Sequence, residues 1–192
     1  MSHLESLEAQ RDELNRQAQE LQRRIDLKEF IMTNEITVRE HPAQLVASWR
    51  TTTTYADVFA AIPEGFGRVM TCLGEENVAP SGAPFTLFYQ APDGDTEGDI
   101  AMSVPISAPF APSSDTDVEI VDIPAGPTAA ITHRGSYANM GESYATVVSW
   151  INQHGHQIVG PAREIYLNSP ADTADEDLLT EIHFPIDADE AN

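Results

Sequence analysis

The sequence predicts an α+β domain built from two β-β-α-β-β halves, with helices on one face of the sheet, a groove between the halves, and a coiled-coil helix in front. Three observations carry that prediction. His41-Pro42-Ala43 and Thr54-Tyr55-Ala56-Asp57 return as Ile123-Pro124-Ala125 and Ser136-Tyr137-Ala138-Asn139, with the same offset of 82 for Pro42/Pro124 and Tyr55/Tyr137. Each copy passes from alternating, strand-like patterning to a helical stretch and back to strands that close on Pro-Ile, at Pro105-Ile106 and Pro185-Ile186. Two copies are too few for a solenoid, so a duplicated domain is expected. The first 33 residues follow a different, heptad-like pattern.

That first segment, residues 1–33, places Leu4, Ala18 and Ile25 at one heptad position and Leu7, Leu14 and Leu21 at another. A stripe so narrow predicts homodimerisation through it, with docking onto its own domain as the alternative. The domain proper spans 34–187, with halves at about 35–106 and 118–187 and a frayed tail at 188–192. In half one, Ile36 to Val38 and Leu45 to Arg50 read as a hairpin around Pro42. Tyr55 to about Leu73 reads as a helix, broken or restarted at Pro63-Glu64-Gly65, and Phe85–Gln90 and Ile100–Ile106 as the closing strands. In half two, Val118–Ile123 and Thr128–His133 form the matching hairpin. Ser136 to Gln153 is the helix, ended by Gly155 in a left-handed conformation, and Arg163–Asn168 and Leu178–Ile186 are the last strands.

Ten basic residues against 31 acidic ones leave a net charge of -21, and five of the ten lie within the first 28 residues. A surface so depleted of cations disfavours direct nucleic-acid binding and anionic membranes, since both rest on phosphate neutralisation by Lys and Arg. It suits high salt or cationic ligands. No apolar run is long enough for a membrane span and no signal-peptide core is present, so a soluble, cytoplasmic protein is expected. The lone Cys72, set in a helical pattern, reads as a buried hydrophobe. His154 and His156 flank a glycine without a third ligand, so no metal is expected, and no cofactor-binding motif appears. His41 and His133, beside turns, read as solvated.

The order of elements, Gly135-Ser136-Tyr137, Trp150-Ile151, Gly160-Pro161 before Arg163-Glu164-Ile165-Tyr166, and the terminal Glu181-Ile182-His183-Phe184-Pro185-Ile186 resemble the GyrI-like effector-binding domain of AraC-type and MerR-type bacterial regulators, a pair of SHS2-type repeats. The N-terminal helix resembles the MerR-type dimerisation helix. Such regulators begin with a winged helix-turn-helix, whereas this chain begins on the helix. The resemblance therefore implies small-molecule sensing without DNA binding of its own.

Glu164 is the foremost candidate residue. It lies mid-strand beside Ile165 and Leu167, where a carboxylate is costly if buried unpaired. Its counterpart in half one reads as Leu87, so the fold itself does not demand an acid. An ordinary pairing with Arg163 or Arg134 is the structural alternative. In the resembling sensors, an acid at this strand position lies at the floor of the groove and meets cationic, aromatic ligands. Tyr55, Phe85, Tyr89, Tyr137 and Tyr166 are the candidate aromatic walls, and Glu181 and His183 candidate neighbours on the adjacent strand. The expected ligand is an amphipathic small molecule, cationic or aromatic. Two other readings stand beside it: a hydrolase of reactive electrophiles with Glu164 as general base and Tyr137 or Tyr166 as donor, and a protein-interaction module whose acidity imitates DNA.

Overall fold

The computed structural model describes residues 35–94, 96–113 and 115–188. The expected coiled coil and its dimerisation fall on residues 1–33, outside the described residues, as does most of the tail. Eight strands form one antiparallel sheet: β1 (Thr37–His41), β2 (Gln44–Thr53), β3 (Phe85–Gln90), β4 (Gly98–Pro105), β5 (Glu119–Ile123), β6 (Gly126–Arg134), β7 (Ala162–Tyr166) and β8 (Leu179–Pro185). Among the described residues there are two α-helices, α1 (Val58–Glu75) and α2 (Gly141–Gln153).

The sheet runs β1-β6-β8-β7-β3-β4-β2-β5, and this order corrects the expected hairpins. β1 pairs with β6 and β5 with β2, so each half lends its first strand to the other. Alternation identifies a strand but not its partner, which is why local pattern suggested the nearest one. The exchange also sets the curvature. Two residues, Pro42-Ala43, join β1 to β2 six positions away, and Pro124-Ala125 join β5 to β6 in the same way. Such a link spans at most about 11 Å between Cα atoms, whereas six strand spacings in a flat sheet are about 29 Å. The sheet therefore curls until its edges face one another across a concave interior.

Both helices lie on the other, outer face, as expected. One row of directly opposed residues crosses that face: Trp49, Met102, Thr86, Glu164, Ile182 and Ile131. α1 packs Val69, Cys72 and Leu73 on Ala47 and Val104, and α2 packs Val147 and Ile151 on Ala129, Ile131, Ile182 and Phe184. Cys72 is indeed buried. Pro63 does not break α1, which runs through it. Pro63 deprives the exposed Phe59 of its helical hydrogen bond, and water can take that carbonyl. Gly65 is needed for close approach, because a Cβ there would collide with Met102 and Trp49. Before α2, the Ser136 hydroxyl accepts from the Ala138 N–H to cap a 3-10 turn, Tyr137–Asn139. Gly155, at φ +78, closes α2 as predicted.

The two halves are related by a pseudo-twofold whose axis falls inside the sheet. Gly82 and Gly160 both abut a proline ring, Pro105 and Pro185, and Ser81 and Val159 donate their N–H groups to those same prolines' carbonyls. The offset in the third strand is thus 78, which makes Thr86, not Leu87, the counterpart of Glu164. Thr86 is also Glu164's cross-strand partner, so the axis passes between them. Leu87 belongs to the concave face.

Candidate functional site

The central row holds one ionisable side chain, Glu164, and its surroundings treat it as a guest. Its residue is 8% exposed, flanked by Thr86 and Ile182, beneath α2. Tyr144 of α2 donates its hydroxyl to Oε1 at 2.7 Å. Tyr166 Oη lies 3.0 Å from both Glu164 Oε2 and Thr86 Oγ1. Having one proton, it can donate to the carboxylate while accepting from the threonine. Among the described residues, no cation pairs with Glu164: Arg163 points to the opposite face, and Arg134 bridges Asp177.

Burial raises the Glu164 pKa above its ordinary value, against the lowering effect of the two tyrosine hydrogen bonds. The same burial, reinforced by the nearby carboxylate, raises Tyr144, Tyr166 and Tyr137. All three phenols therefore keep their protons and remain donors. Their rings are locked edge to face: Tyr166 against Tyr137 and against Phe66 of α1, and Tyr144 against Phe184, each pair with centroids 5.8 Å apart. Such pairs hold ring orientation as well as adding about 0.5–1.5 kcal/mol each.

Beside this cluster opens a cleft of about 520 Å³. Phe88 and Tyr89 of β3 line it from the first half, and Ala162, Phe184, Tyr144 and the Gly160-Pro161 turn from the second. Tyr144 thus links the two, lining the cleft and donating its hydroxyl to the carboxyl. A lining this apolar, backed by one buried acid, suits a flat or bulky organic ligand of positive charge.

The expected site residues divide in two. Glu164, Tyr166 and Tyr137 come together on the helix face, and Tyr89 lines the cleft at a β-bulge with the Arg50 guanidinium 3.9 Å from its ring centre. Tyr55, 61% exposed in the turn before α1, lines no part of the cleft. Phe85, Glu181 and His183 lie on the opposite, concave face. Glu164 pairs with Ile182, so Glu181 and His183 must point the other way, and Phe85 flanks Thr86 in the same sense. Strand register decides this, and register is not readable locally.

Tyr144, Phe66 and Thr86 escaped the sequence reading. Tyr144 had a signal, since with Val147 and Ile151 it completes the sheet-facing stripe of α2. Thr86 had none without the register. His41 and His133 are buried rather than solvated; His133 Nδ1 lies 3.0 Å from Ser143 Oγ. His154 and His156 stack on Trp150, and no cluster of three or more His, Cys, Asp or Glu able to hold a metal occurs among the described residues.

The model of the GyrI-like small molecule binding domain family matches residues 34–187. This chain belongs to that family. Among solved structures, the GyrI-like chain is similar to EcmrR in its DNA complex, at 21% identity and a TM-score of 0.71 over 96% of this chain and 68% of that one. The EcmrR C-terminal domain alone aligns at 20% identity and a TM-score of 0.65, covering 80% of this chain and 97% of the other. SAV2435 bound to tetraphenylphosphonium aligns at 15% identity and a TM-score of 0.54, covering 80% and 94%. At these identities the likeness establishes the fold. Comparison with curated protein sequences gives no match. No helix among the described residues is long and apolar enough to cross a membrane.

Proposed function

We propose that this GyrI-like domain is the sensing element for an amphipathic cation, taken into the cleft with Glu164 as counter-charge. The observation that carries the reading is a buried carboxyl with no cationic partner, restrained by two tyrosine hydroxyls at the edge of an aromatic-lined cleft. An apolar cation entering past Tyr144 supplies the missing charge, and the rings supply contact area. Its arrival favours the ionised form of Glu164, so cation uptake releases a proton from whatever fraction was protonated. The N-terminal segment, as a dimerising helix, would couple this pocket to a partner copy.

A thermal-shift panel of hydrophobic cations, neutral aromatics and anions tests the reading. Cations are expected to stabilise the parent, by about 2.7 kcal/mol at a hundredfold excess over Kd, and to lose that effect in Glu164→Gln. Equal stabilisation by neutral and cationic aromatics would contradict it. The raised proton affinity of Glu164 also favours a second reading, a general base activating water on a reactive electrophile. Turnover that vanishes in Glu164→Gln, with no stable cation complex, would replace the first reading by the second.

A further inference from the structure

The concave face carries a second polar centre, unrelated to the cleft. Arg163 is 4% exposed and is flanked across the strands by Leu87 and His183. Its guanidinium lies 4.9 Å from the Phe85 ring centre, and its Nη1 donates to His41 Nε2. His41 Nδ1 faces the Pro42 carbonyl at 2.7 Å and so carries the proton of a neutral ring. Burial and Arg163 keep it neutral, with its pKa down at about 4. Among the described residues no carboxylate pairs with Arg163. Its Nε–H lacks a hydrogen-bond partner, as do His183 Nδ1 and the Gln44 side-chain oxygen, both buried. His183 is Arg163's cross-strand partner, and Gln44 opens the strand that follows His41. Glu181, which also faces this side, accepts from Arg39 Nη2 at 2.5 Å, and the same Nη2 lies 2.8 Å from His183 Nε2, which as the acceptor leaves the ring proton on Nδ1. The fixed charges Arg39, Glu181 and Arg163 sum to one positive charge.

The duplication shows that none of this is needed to build the sheet. By the offsets of 82, 78 and 80 in successive strands, the counterparts of Arg39, His41, Arg163 and Glu181 across the pseudo-twofold are Val121, Ile123, Phe85 and Ala101. Those four residues belong to one apolar cluster. At these four positions the same fold uses hydrocarbon on one side of the axis and polar or charged groups on the other, although burying a guanidinium without a counter-ion is costly where hydrocarbon is not.

We propose that this charged half of the concave face is a binding site for a small monovalent anion of the chloride class, held by the Arg163 guanidinium. Arg163 Nε–H and His183 Nδ1–H, on cross-strand partners, are the donors. One negative charge balances the centre; a sulfate or phosphate would exceed it. The half-exposed Arg39, beside Glu181, marks the side from which an ion reaches Arg163.

The test is thermal unfolding of the full chain at fixed ionic strength while chloride replaces gluconate, an anion too bulky for the interior. Surface screening depends on ionic strength alone and cancels. A saturable rise in Tm with chloride is expected, retained in Glu164→Gln on the outer face and absent in Arg163→Met. Crystals grown in bromide should show an anomalous peak within contact distance of Arg163, which decides the matter if the Arg163 variant does not fold. Identical Tm in chloride and gluconate, chloride dependence that survives Arg163→Met, or no bromide at Arg163 would each overturn the proposal.

Discussion

At the residue scale, Glu164 places its carboxyl where the neutral form is the cheaper one. Its folded pKa is raised, so its contribution to stability is intact below the ordinary value of 4.5 and is lost as pH rises towards the folded value. Glu164→Gln is therefore expected to unfold at a higher temperature than the parent at pH 7, by about 2–4 °C for each kcal/mol relieved, and the gap should close as pH falls below 4.5. A gap of constant size across that range would mean the carboxyl is not held against ionisation. Tyr144→Phe removes one donor to the carboxylate; a loss of about 1–2 kcal/mol in chemical denaturation at pH 7 is expected, with less loss in acid. His41 has the opposite sign. Its lowered pKa makes its contribution complete above 6.5 and lost as pH falls towards about 4, so His41→Phe should flatten the acid limb of stability between those values.

At the element scale, the close approach of α1 to the sheet rests on Gly65. Gly65→Ala should cost roughly 1–3 kcal/mol by urea unfolding, because Met102 and Trp49 already occupy the space of its Cβ; a neutral result would mean that α1 can shift outward freely. Most elements were legible because each is encoded by its own short-range pattern. β3 was predicted at its observed bounds, and Gly155 announced the end of α2. Glu164 was legible for the same reason, as an acid interrupting an apolar strand. What local pattern cannot hold is partnership. Pro42 and Pro124 look like hairpin turns but cross between halves, and only the pairing of β7 with β8 tells that Glu181 and His183 turn away from Glu164. The same register hid the true counterpart of Glu164, since matching Tyr89 to Tyr166 is off by one residue.

At the scale of the whole molecule, the pseudo-twofold explains why both polar centres occur where they do. Duplication yields a symmetric seam between β3 and β7, and on the β7 side of it one position on each face of the sheet is charged: Glu164 opposite Thr86 on the outer face, and Arg163, counterpart of Phe85, on the inner. Around them the net charge of -21 repels itself at low ionic strength. Tm should climb with potassium gluconate up to molar concentration through screening alone; a flat response would show that the surface acids are too dispersed to matter. The same negative field concentrates cations near the cleft and weakens with salt.

The central claim, that Glu164 is the counter-charge for a bound cation, is tested most directly by calorimetric titration with tetraphenylphosphonium in the parent and Glu164→Gln. An affinity at least tenfold weaker is expected in the variant, equivalent to about 1.4 kcal/mol, with a proton released by the parent alone, seen by comparing buffers of different ionisation enthalpy. Equal affinities, with no difference between buffers, would contradict it.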